Sequence, residues 1–440
     1  MARRRSQRTP IGTGLCLLVL ITAASARGQV LTTIEFSFSN PGARSMGFGG
    51  AFVALADDAT AAFANPAGLV QLSRPEVSIE GRSWRYSSPY TTGGRAFGAP
   101  TGRGIDTVAH PLRVDSEAEL SGLSFLSVVY PKKRWSFAFY HHQLQNFELR
   151  EEIQGIFQPG PVAGAWRGPI ERGFFDFDLT TNALAVGYRV GNRASLGIGI
   201  SRFESSSHLT GSDYLPDADS LEAYFAPASF LPARLIETVT GEMGGTDWGL
   251  ALGFLYGLTP SWKLGGVYRQ GPELEVALEG IAGPAHPDVA TGQTTAKATS
   301  PWAFPDVFGL GLSYRSANGR WTGSFEWTRV EYSTILESLD VRLHGGDDVL
   351  EDADELHLGG EYAFFRGRSV LAVRLGAWLD PAHQPSNDSF PFARAELPGG
   401  EDELHFAAGC GVARNQLQFD LGIDLSELRD TVSLSAIYSF

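Results

Sequence analysis

The segment that decides the fold reads Leu417-Gln418-Phe419-Asp420-Leu421-Gly422-Ile423-Asp424-Leu425. Its odd-numbered positions are all apolar, whereas its even-numbered positions are polar or glycine. Because successive side chains of a β-strand point to opposite faces, this alternation predicts a strand with one apolar and one mostly polar face. In a membrane β-barrel, the first face contacts lipid and the second lines the lumen.

The final segment repeats this pattern. Apolar side chains at Val432, Leu434, Ala436, Tyr438 and Phe440 alternate with polar ones, and only Ile437 breaks the alternation. A last strand that ends in an aromatic residue resembles the signal by which bacterial outer-membrane barrels are recognised for insertion. We therefore interpret Tyr438 and Phe440 as a membrane-insertion signal and expect the barrel-insertion machinery to be a partner.

Twelve other segments alternate in the same way, which predicts an all-β transmembrane antiparallel barrel of about fourteen strands, an even number as single-chain bacterial barrels have. Near Thr180 the apolar residues change face, which indicates a β-bulge or an extension beyond the membrane. The predicted strands start near Glu76, Leu120, Arg134, Asn182, Ala194, Asp247, Ser261, Asp306, Trp321, Leu356, Ser369 and Glu403.

Short and long connections alternate between these segments. Because outer-membrane barrels have short periplasmic turns and long outer loops, this order predicts that both chain ends lie in the periplasm. The predicted short turns are Pro131-Lys132-Lys133, Gly191-Asn192, Thr259-Pro260, Ala317-Asn318-Gly319, Arg366-Gly367 and Arg414-Asn415. A soluble β-sandwich is the alternative, and it would bury the aromatic residues that alternate near the strand ends.

The N-terminus predicts export. Several arginines precede an apolar run from Ile11 to Ala24, and the small residues Ala24-Ser25-Ala26 follow, as in a secretory signal peptide. We assign residues 1–28 to this peptide. Its removal takes away five arginines and no acidic residue, so the net charge changes from −14 to −19. A chain this acidic is not expected to bind nucleic acid.

Between the cleavage site and the first strand, small residues dominate a segment that is too irregular to span a membrane. It contains the glycines Gly47, Gly49 and Gly50 and the element Asn65-Pro66-Ala67. The alternation of strands starts only after this segment, which predicts two units, residues 29–74 and a barrel of residues 75–440. An ordinary turn before the first strand is the alternative reading of Asn65-Pro66-Ala67.

This N-terminal segment resembles the hatch of the FadL long-chain fatty acid transporter family. The resemblance extends to Phe325-Glu326-Trp327-Thr328, to His357-Leu358-Gly359-Gly360-Glu361-Tyr362 and to Val373-Arg374-Leu375-Gly376-Ala377-Trp378. It implies a monomeric fourteen-stranded barrel in the bacterial outer membrane, plugged by a small hatch inside the lumen. It also implies passive uptake of fatty acids or aromatic hydrocarbons, with no cofactor.

A channel for apolar molecules needs an exposed apolar site at which they are first bound. The connection around residues 205–242 is too apolar for a simple solvated loop, so we expect it to supply that site, although its side chains could instead pack the loops onto the barrel rim. A lumen-facing Arg374 is the candidate for binding a substrate carboxylate. The candidate loop residues are Leu221, Tyr224, Phe225, Phe230, Leu231 and Leu235.

Other functions have weaker support. No Gly-x-Ser-x-Gly element indicates a hydrolase, and His141-His142 has no partner cluster typical of a metal site. The acidic stretch at residues 347–355 lacks EF-hand spacing, so a solvated loop is favoured over a calcium site. A barrel that serves as a scaffold or shuttle in protein secretion remains the main alternative, and flat polar outer loops would favour it.

Overall fold

The computed structural model describes residues 38–282, 294–338 and 347–440. The predicted signal peptide lies outside these residues. The described chain forms a closed antiparallel barrel of fourteen strands. These are β1 (Glu76–Gly94), β2 (Pro111–Lys132), β3 (Trp135–Ile153), β4 (Ile170–Val190), β5 (Ala194–Tyr214), β6 (Leu235–Gly257), β7 (Trp262–Arg269 and Glu273–Ala282), β8 (Thr294–Ala303 and Val307–Arg315), β9 (Trp321–Val330), β10 (Ala353–Arg366), β11 (Ser369–Asp380), β12 (Glu403–Arg414), β13 (Leu417–Leu425) and β14 (Arg429–Ser439).

The barrel closes between its first and last strands. Strand β1 pairs with β14 from Glu76↔Ser439 to Tyr86↔Arg429. A closed barrel leaves no unpaired sheet edge at this seam, which is the requirement for strands that cross a membrane. The predicted fold class is therefore confirmed, and the predicted short turns connect the strands as expected.

Two neighbouring strands, β7 and β8, are interrupted at the same level. The interruption in β7 contains Pro272 and the one in β8 contains Pro305, and proline cannot donate a ladder hydrogen bond. The broken level is held by other bonds, since the amide of Phe304 donates to the carbonyl of Pro272 at 2.8 Å. Each pair of segments therefore continues one strand of the wall.

The outer face of the barrel is apolar and aromatic. Trp135, Phe139, Trp248 and Trp321 expose 48%, 44%, 61% and 58% of their surface, respectively. A soluble sandwich would bury such side chains, whereas aromatic girdles of a membrane barrel face the lipid interface. The exposed face therefore agrees with the barrel and not with the sandwich.

The change of face near Thr180 is caused by an extension of the strand beyond the membrane, the second of the two expected alternatives. Strand β4 alternates without interruption, with Phe177 and Leu179 buried and Leu184 exposed. Apolar residues point outward in one half of the strand, where lipid covers them, and inward in the other half, where the strand extends beyond the lipid. The bulge itself lies in β3, where Leu144 is the extra residue.

The segment that precedes the barrel lies inside it. It contains the short helices α1 (Ala43–Gly47) and α2 (Ala61–Ala64) and a 3-10 turn (Pro66–Gln71). Nearly all of these residues are buried against the inner wall, including Phe48, Phe52 and Leu69. We call residues 38–74 the hatch.

The long connections carry the remaining short elements. Among the residues that the structure describes, no helix is both long enough and apolar enough to cross a membrane. The outer elements are a two-stranded hairpin (Phe157–Val162 with Ala165–Arg167), α3 (Leu221–Phe225), a 3-10 turn (Pro232–Arg234), α4 (Ser333–Ser338) and α5 (Pro391–Glu396).

Candidate functional site

The hatch fits against glycines of the wall. A Cβ atom at Gly376 of β11 would lie 2.3 Å from the amide nitrogen of Gly49, and one at Gly197 of β5 would lie 2.2 Å from that of Ala67. Gly49 itself has a φ of +62°, which other residues rarely adopt. Glycine is therefore required in the wall at both contacts, and in the hatch at Gly49. Further wall glycines that touch the hatch are Gly187, Gly253, Gly265, Gly311, Gly359, Gly409 and Gly422.

Asn65 anchors the second half of the hatch. Its side-chain amide donates to the carbonyl of Val53 in the hatch at 2.9 Å and to that of Phe254 in β6 at 3.1 Å. Its Oδ1 accepts from the amide of Ala67 at 3.1 Å and so caps the 3-10 turn, in which Pro66 occupies the first position. The Asn65-Pro66-Ala67 element is therefore both a turn and a hatch-to-wall contact.

Buried ion pairs connect the hatch to the opposite wall. Arg44 lies 2.5 Å from Asp57 and 3.2 Å from Asp58 within the hatch, and 3.4 Å from Glu361 of β10. Glu361 also accepts from Arg374 at 2.7 Å. Each buried charge therefore has a partner of opposite sign, as burial requires.

A cavity of about 80 Å³ lies in the lumen next to the hatch. Its lining combines aromatic rings with polar and charged groups, a composition typical of sites for ligands that have both apolar and polar parts. The side chains that define it are those of Phe38, Arg82, Trp84, Tyr86, Gln143, Phe147, His357, Trp378, Asp380 and Asp424.

On one side of this cavity, an indole ring lies between two imidazole rings. Trp378 stacks on His405 at 3.8 Å and on His357 at 5.1 Å between ring centroids. Each histidine contacts a carboxylate, since His357 lies 3.0 Å from Glu355 and His405 lies 3.0 Å from Asp424. This stack forms a flat aromatic wall that could face a ring or a chain of the ligand.

The outer half of the lumen is filled with apolar side chains. Phe175, Phe177, Trp302 and Phe304 are each at most 2% exposed, and the rings of Phe177 and Phe304 stack at 5.5 Å. These residues point inward from several strands and form one cluster with Phe147, which also lines the cavity. The lumen is therefore apolar where a general porin would be polar.

The barrel wall separates next to the cavity, between β2 and β3, and we call this gap the parting. Strand β2 pairs with β3 only from Phe125↔His142 to Lys132↔Trp135, although it stays paired with β1 as far as Pro111. Beyond this point β3 is bonded to side chains of both strands: Tyr86 of β1 donates to the carbonyl of Glu148 at 2.8 Å, and Ser116 of β2 accepts from the amide of Arg150 at 3.1 Å. A Cβ atom at Gly122 would lie 3.5 Å from Oε1 of Gln143, so these two residues border the parting.

The predicted loop residues are divided between two environments. Tyr224 and Phe225 of α3 are 9% and 1% exposed and pack with Phe157, whose ring stacks on Phe225 at 5.5 Å. Leu221 and Leu231 are on the surface, Phe230 is half-buried against Tyr214, and Leu235 is half-buried at the start of β6.

Arg167 holds this loop cluster together. It donates to the carbonyls of Tyr224 at 2.8 Å and of Ala226 at 3.0 Å. Burial lowers the pKa of Arg167 to about 10. These contacts agree with the alternative that the loop residues pack onto the rim, and a role for the whole loop in binding substrate stays a prediction.

The other predicted site residues have defined neighbours. Arg374 is 4% exposed and lies between Glu361 and Asp420, 2.7 Å from each. Its role in binding a substrate carboxylate stays a prediction, and the two ion pairs offer another role in holding the wall. Tyr438 and Phe440 are exposed and stacked at 5.8 Å.

Acidic side chains of the stretch at residues 347–355 form ion pairs and a hydrogen bond with other side chains of the protein. Asp352 lies 2.8 Å from Arg329, Asp354 lies 3.2 Å from the same guanidinium, and Asp348 accepts from Asn387 at 2.7 Å. Within the described ranges, no group of three or more histidine, cysteine or acidic side chains could hold a metal ion.

Comparison with solved structures identifies the architecture. A FadL homologue from Pseudomonas aeruginosa matches 92% of this chain and 100% of its own, with a TM-score of 0.64 and 15% identity. The chain has the FadL-type fold. Toluene transporters share it: TodX from Pseudomonas putida has a TM-score of 0.57 and 12% identity, and TbuX from Ralstonia pickettii has 0.56 and 14%. Each of these two covers 92% of this chain and 99% of its own.

No family model and no curated protein matches the chain. The fold thus confirms the resemblance to the FadL family. Sequence identities this low do not show which ligand this chain binds. In the FadL-type fold of this chain, the cavity, the apolar outer lumen and the parting of the wall were not predicted. Phe175, Phe177 and Leu179 could have indicated the apolar outer lumen, because a strand whose apolar face changes sides must pass from lipid to an apolar interior.

Proposed function

We propose that this protein is a channel of the bacterial outer membrane for the passive uptake of hydrophobic small molecules. The observation that carries the proposal is the lumen, which has an apolar outer half, an aromatic cavity beneath it and a hatch that fills the remaining space. An apolar solute gains about 25 cal/mol per Å² of surface that it removes from water. A water-filled pore would offer no such gain.

The route begins at the outer loops and ends beside the hatch. The apolar cluster around Phe177 and Trp302 would admit the solute by moving side chains, and the cavity next to Trp84, Phe147 and Trp378 would hold it. The parting between β2 and β3 adjoins this cavity, because Gln143 contributes to both. We propose that the solute leaves sideways through this parting, so that the hatch stays in place.

Fatty acids and monoaromatic hydrocarbons are the two substrate classes to compare. The FadL-type structures that match this chain include a FadL homologue and toluene transporters. In this chain, the stacked rings beside the cavity suit a planar or extended apolar group, and Arg82 and His357 suit a polar head. We propose that the protein acts without catalysing a reaction.

Equilibrium binding tests the proposal. Purified protein in detergent is titrated with radiolabelled oleic acid and, separately, with toluene. We compare Phe147→Leu, which changes a ring that lines the cavity, with Phe139→Leu, which changes an exposed ring on the same strand. We expect the first variant to bind several-fold more weakly and the second to bind normally, with both barrels intact by heat-modifiable migration. Equal affinities in all three proteins would place binding outside the cavity.

A further inference from the structure

The short-turn end of the barrel is strongly basic. The six short turns with their flanking strand ends, together with Arg74 two residues before β1, carry twelve lysines and arginines. The turns contain no aspartate or glutamate, and Glu76, the first residue of β1, is acidic. This contrasts with the whole chain, whose net charge is −14. The positive charge is therefore concentrated at one rim. The twelve residues are Arg74, Lys132, Lys133, Arg134, Arg189, Arg193, Lys263, Arg315, Arg320, Arg366, Arg368 and Arg414.

Three of these residues hold the hatch. Arg315 forms an ion pair with Asp57 at 2.5 Å, Arg189 donates to the carbonyl of Val70, and Lys263 donates to Gln71. Their positive charge thus has a structural use.

The other nine are exposed, and in the described part of the chain none of them forms an ion pair. We call these nine the basic rim: Arg74, Lys132, Lys133, Arg134, Arg193, Arg320, Arg366, Arg368 and Arg414. Like charges that crowd one rim repel one another, so this arrangement costs free energy unless an anionic partner compensates it.

The basic rim lies at the level of an aromatic girdle. Trp135, which is 48% exposed, follows Arg134 directly, and Trp321, which is 58% exposed, follows Arg320. Tyr130, at 57% exposure, is two residues from Lys132. Exposed tryptophan and tyrosine mark the boundary between the hydrocarbon and the lipid headgroups. The cationic groups therefore stand at the headgroup level of the adjacent leaflet.

We propose that the basic rim binds the headgroups of anionic phospholipids in the leaflet on the short-turn side. Guanidinium groups suit this partner, because their planar N–H groups match the oxygens of a phosphate. The spread of the nine residues around the barrel suits several lipid molecules better than a single ligand. The proposal rests on the membrane location of the proposed function but not on what the lumen carries.

The electron spin resonance of labelled lipids provides the test. The full protein is reconstituted in phosphatidylcholine bilayers with spin-labelled phosphatidylglycerol or spin-labelled phosphatidylcholine, and the fraction of each that is motionally restricted at the protein is measured. We expect a severalfold preference for phosphatidylglycerol. It should fall in 1 M salt, where charges are screened beyond about 3 Å.

Two charge-matched variants locate the effect. Arg366→Gln/Arg368→Gln neutralises two residues of the basic rim, and Arg103→Gln/Arg113→Gln neutralises two exposed arginines on the outer side. Each rim charge contributes up to about fivefold to attraction toward an anionic surface. We therefore expect the first variant to lower the preference measurably and the second to keep it.

Other results would overturn the proposal. Equal restriction of the two lipids by the unmodified protein would do so, as would a preference that both variants leave unchanged or lower equally. A rim that instead docks an acidic protein would leave the lipid preference independent of the rim. Binding of oleic acid, measured on the same samples in detergent, tests the proposed function separately. If the unmodified protein does not bind oleic acid but keeps its lipid preference, only the proposed uptake function is contradicted.

Discussion

Arg44 of the hatch and Glu361 of the wall form a buried ion pair, with Nε and Oε2 3.4 Å apart. Glu361 also accepts a hydrogen bond from Arg374 at 2.7 Å. One carboxylate therefore joins the hatch to two strands of the wall. This arrangement makes the position of the hatch sensitive to a single side chain.

Replacing Glu361 by glutamine should loosen the hatch. Full loss of a buried partner costs about 3–5 kcal/mol, and we expect a smaller loss, because Arg44 keeps Asp57 and Asp58. The variant should unfold at lower denaturant concentration and should conduct more ions in planar bilayers. Glu401→Gln, at an exposed position, is the control. Unchanged conductance with normal stability would show that the ion pair does not hold the hatch.

Replacing Arg374 by glutamine separates two roles of this residue. If it mainly holds Glu361 and Asp420 together, the variant should lose stability and bind oleic acid and oleyl alcohol with equally reduced affinity. This is the result we expect, because Arg374 is 4% exposed. A selective loss of affinity for the acid would instead support a direct contact with a substrate carboxylate.

Replacing Gly376 by alanine should displace the hatch. The added Cβ atom would lie 2.3 Å from the amide nitrogen of Gly49, which is too close for either backbone to remain in place. Overpacking of this kind costs about 1–3 kcal/mol. Gly211→Ala is the control, because nothing lies within 4 Å of its Cβ position. Limited proteolysis should cut the hatch in the first variant only, and an equally protected hatch would contradict the contact.

The outer loop offers two aspartate substitutions with different expected results. Phe225→Asp places a charge in a site that is 1% exposed, so we expect the outer loops to become protease-sensitive. Phe230→Asp changes a half-buried ring beside Tyr214 and should leave the loops folded. If the loop binds substrate first, Phe230→Asp should slow uptake at low substrate concentration. Normal uptake by that folded variant would rule out Phe230 as part of such a site.

The parting of the wall can be narrowed at Gly122, which does not itself line the cavity. Phenylalanine at Gly122 would extend toward Gln143, whose Oε1 lies 3.5 Å from the Cβ position. If the solute leaves sideways here, we expect the uptake rate to fall about tenfold while equilibrium binding in detergent stays the same, a difference of about 1.4 kcal/mol in the barrier. Unchanged uptake would exclude this exit.

Much of the barrel could be predicted because alternation is a local property. The strands near Leu417 and Val432 keep one face in lipid along their whole length, so their sequence alone shows the pattern. Strands that extend beyond the lipid, such as β2 and β4, were predicted to start too late, because in their outer parts the outward face is not regularly apolar.

The interior could be predicted only in part. The glycines of the hatch were recognised, but the wall glycines that meet them were not, because a glycine such as Gly197 carries no sign of which residue will approach it. The cavity depends on side chains from strands far apart in the chain, such as Trp84 and Trp378, and no single segment contains that information.

We propose that the lumen carries hydrophobic molecules and not water-soluble ones. The most direct measurement compares two fluxes into the same proteoliposomes: uptake of labelled oleic acid or toluene at nanomolar to micromolar concentration, and the osmotic swelling rate in a small sugar. A channel of this kind should give saturable uptake of at least one apolar solute with no swelling above that of empty liposomes. Rapid swelling without saturable uptake would contradict it, since that is the behaviour of an open aqueous pore.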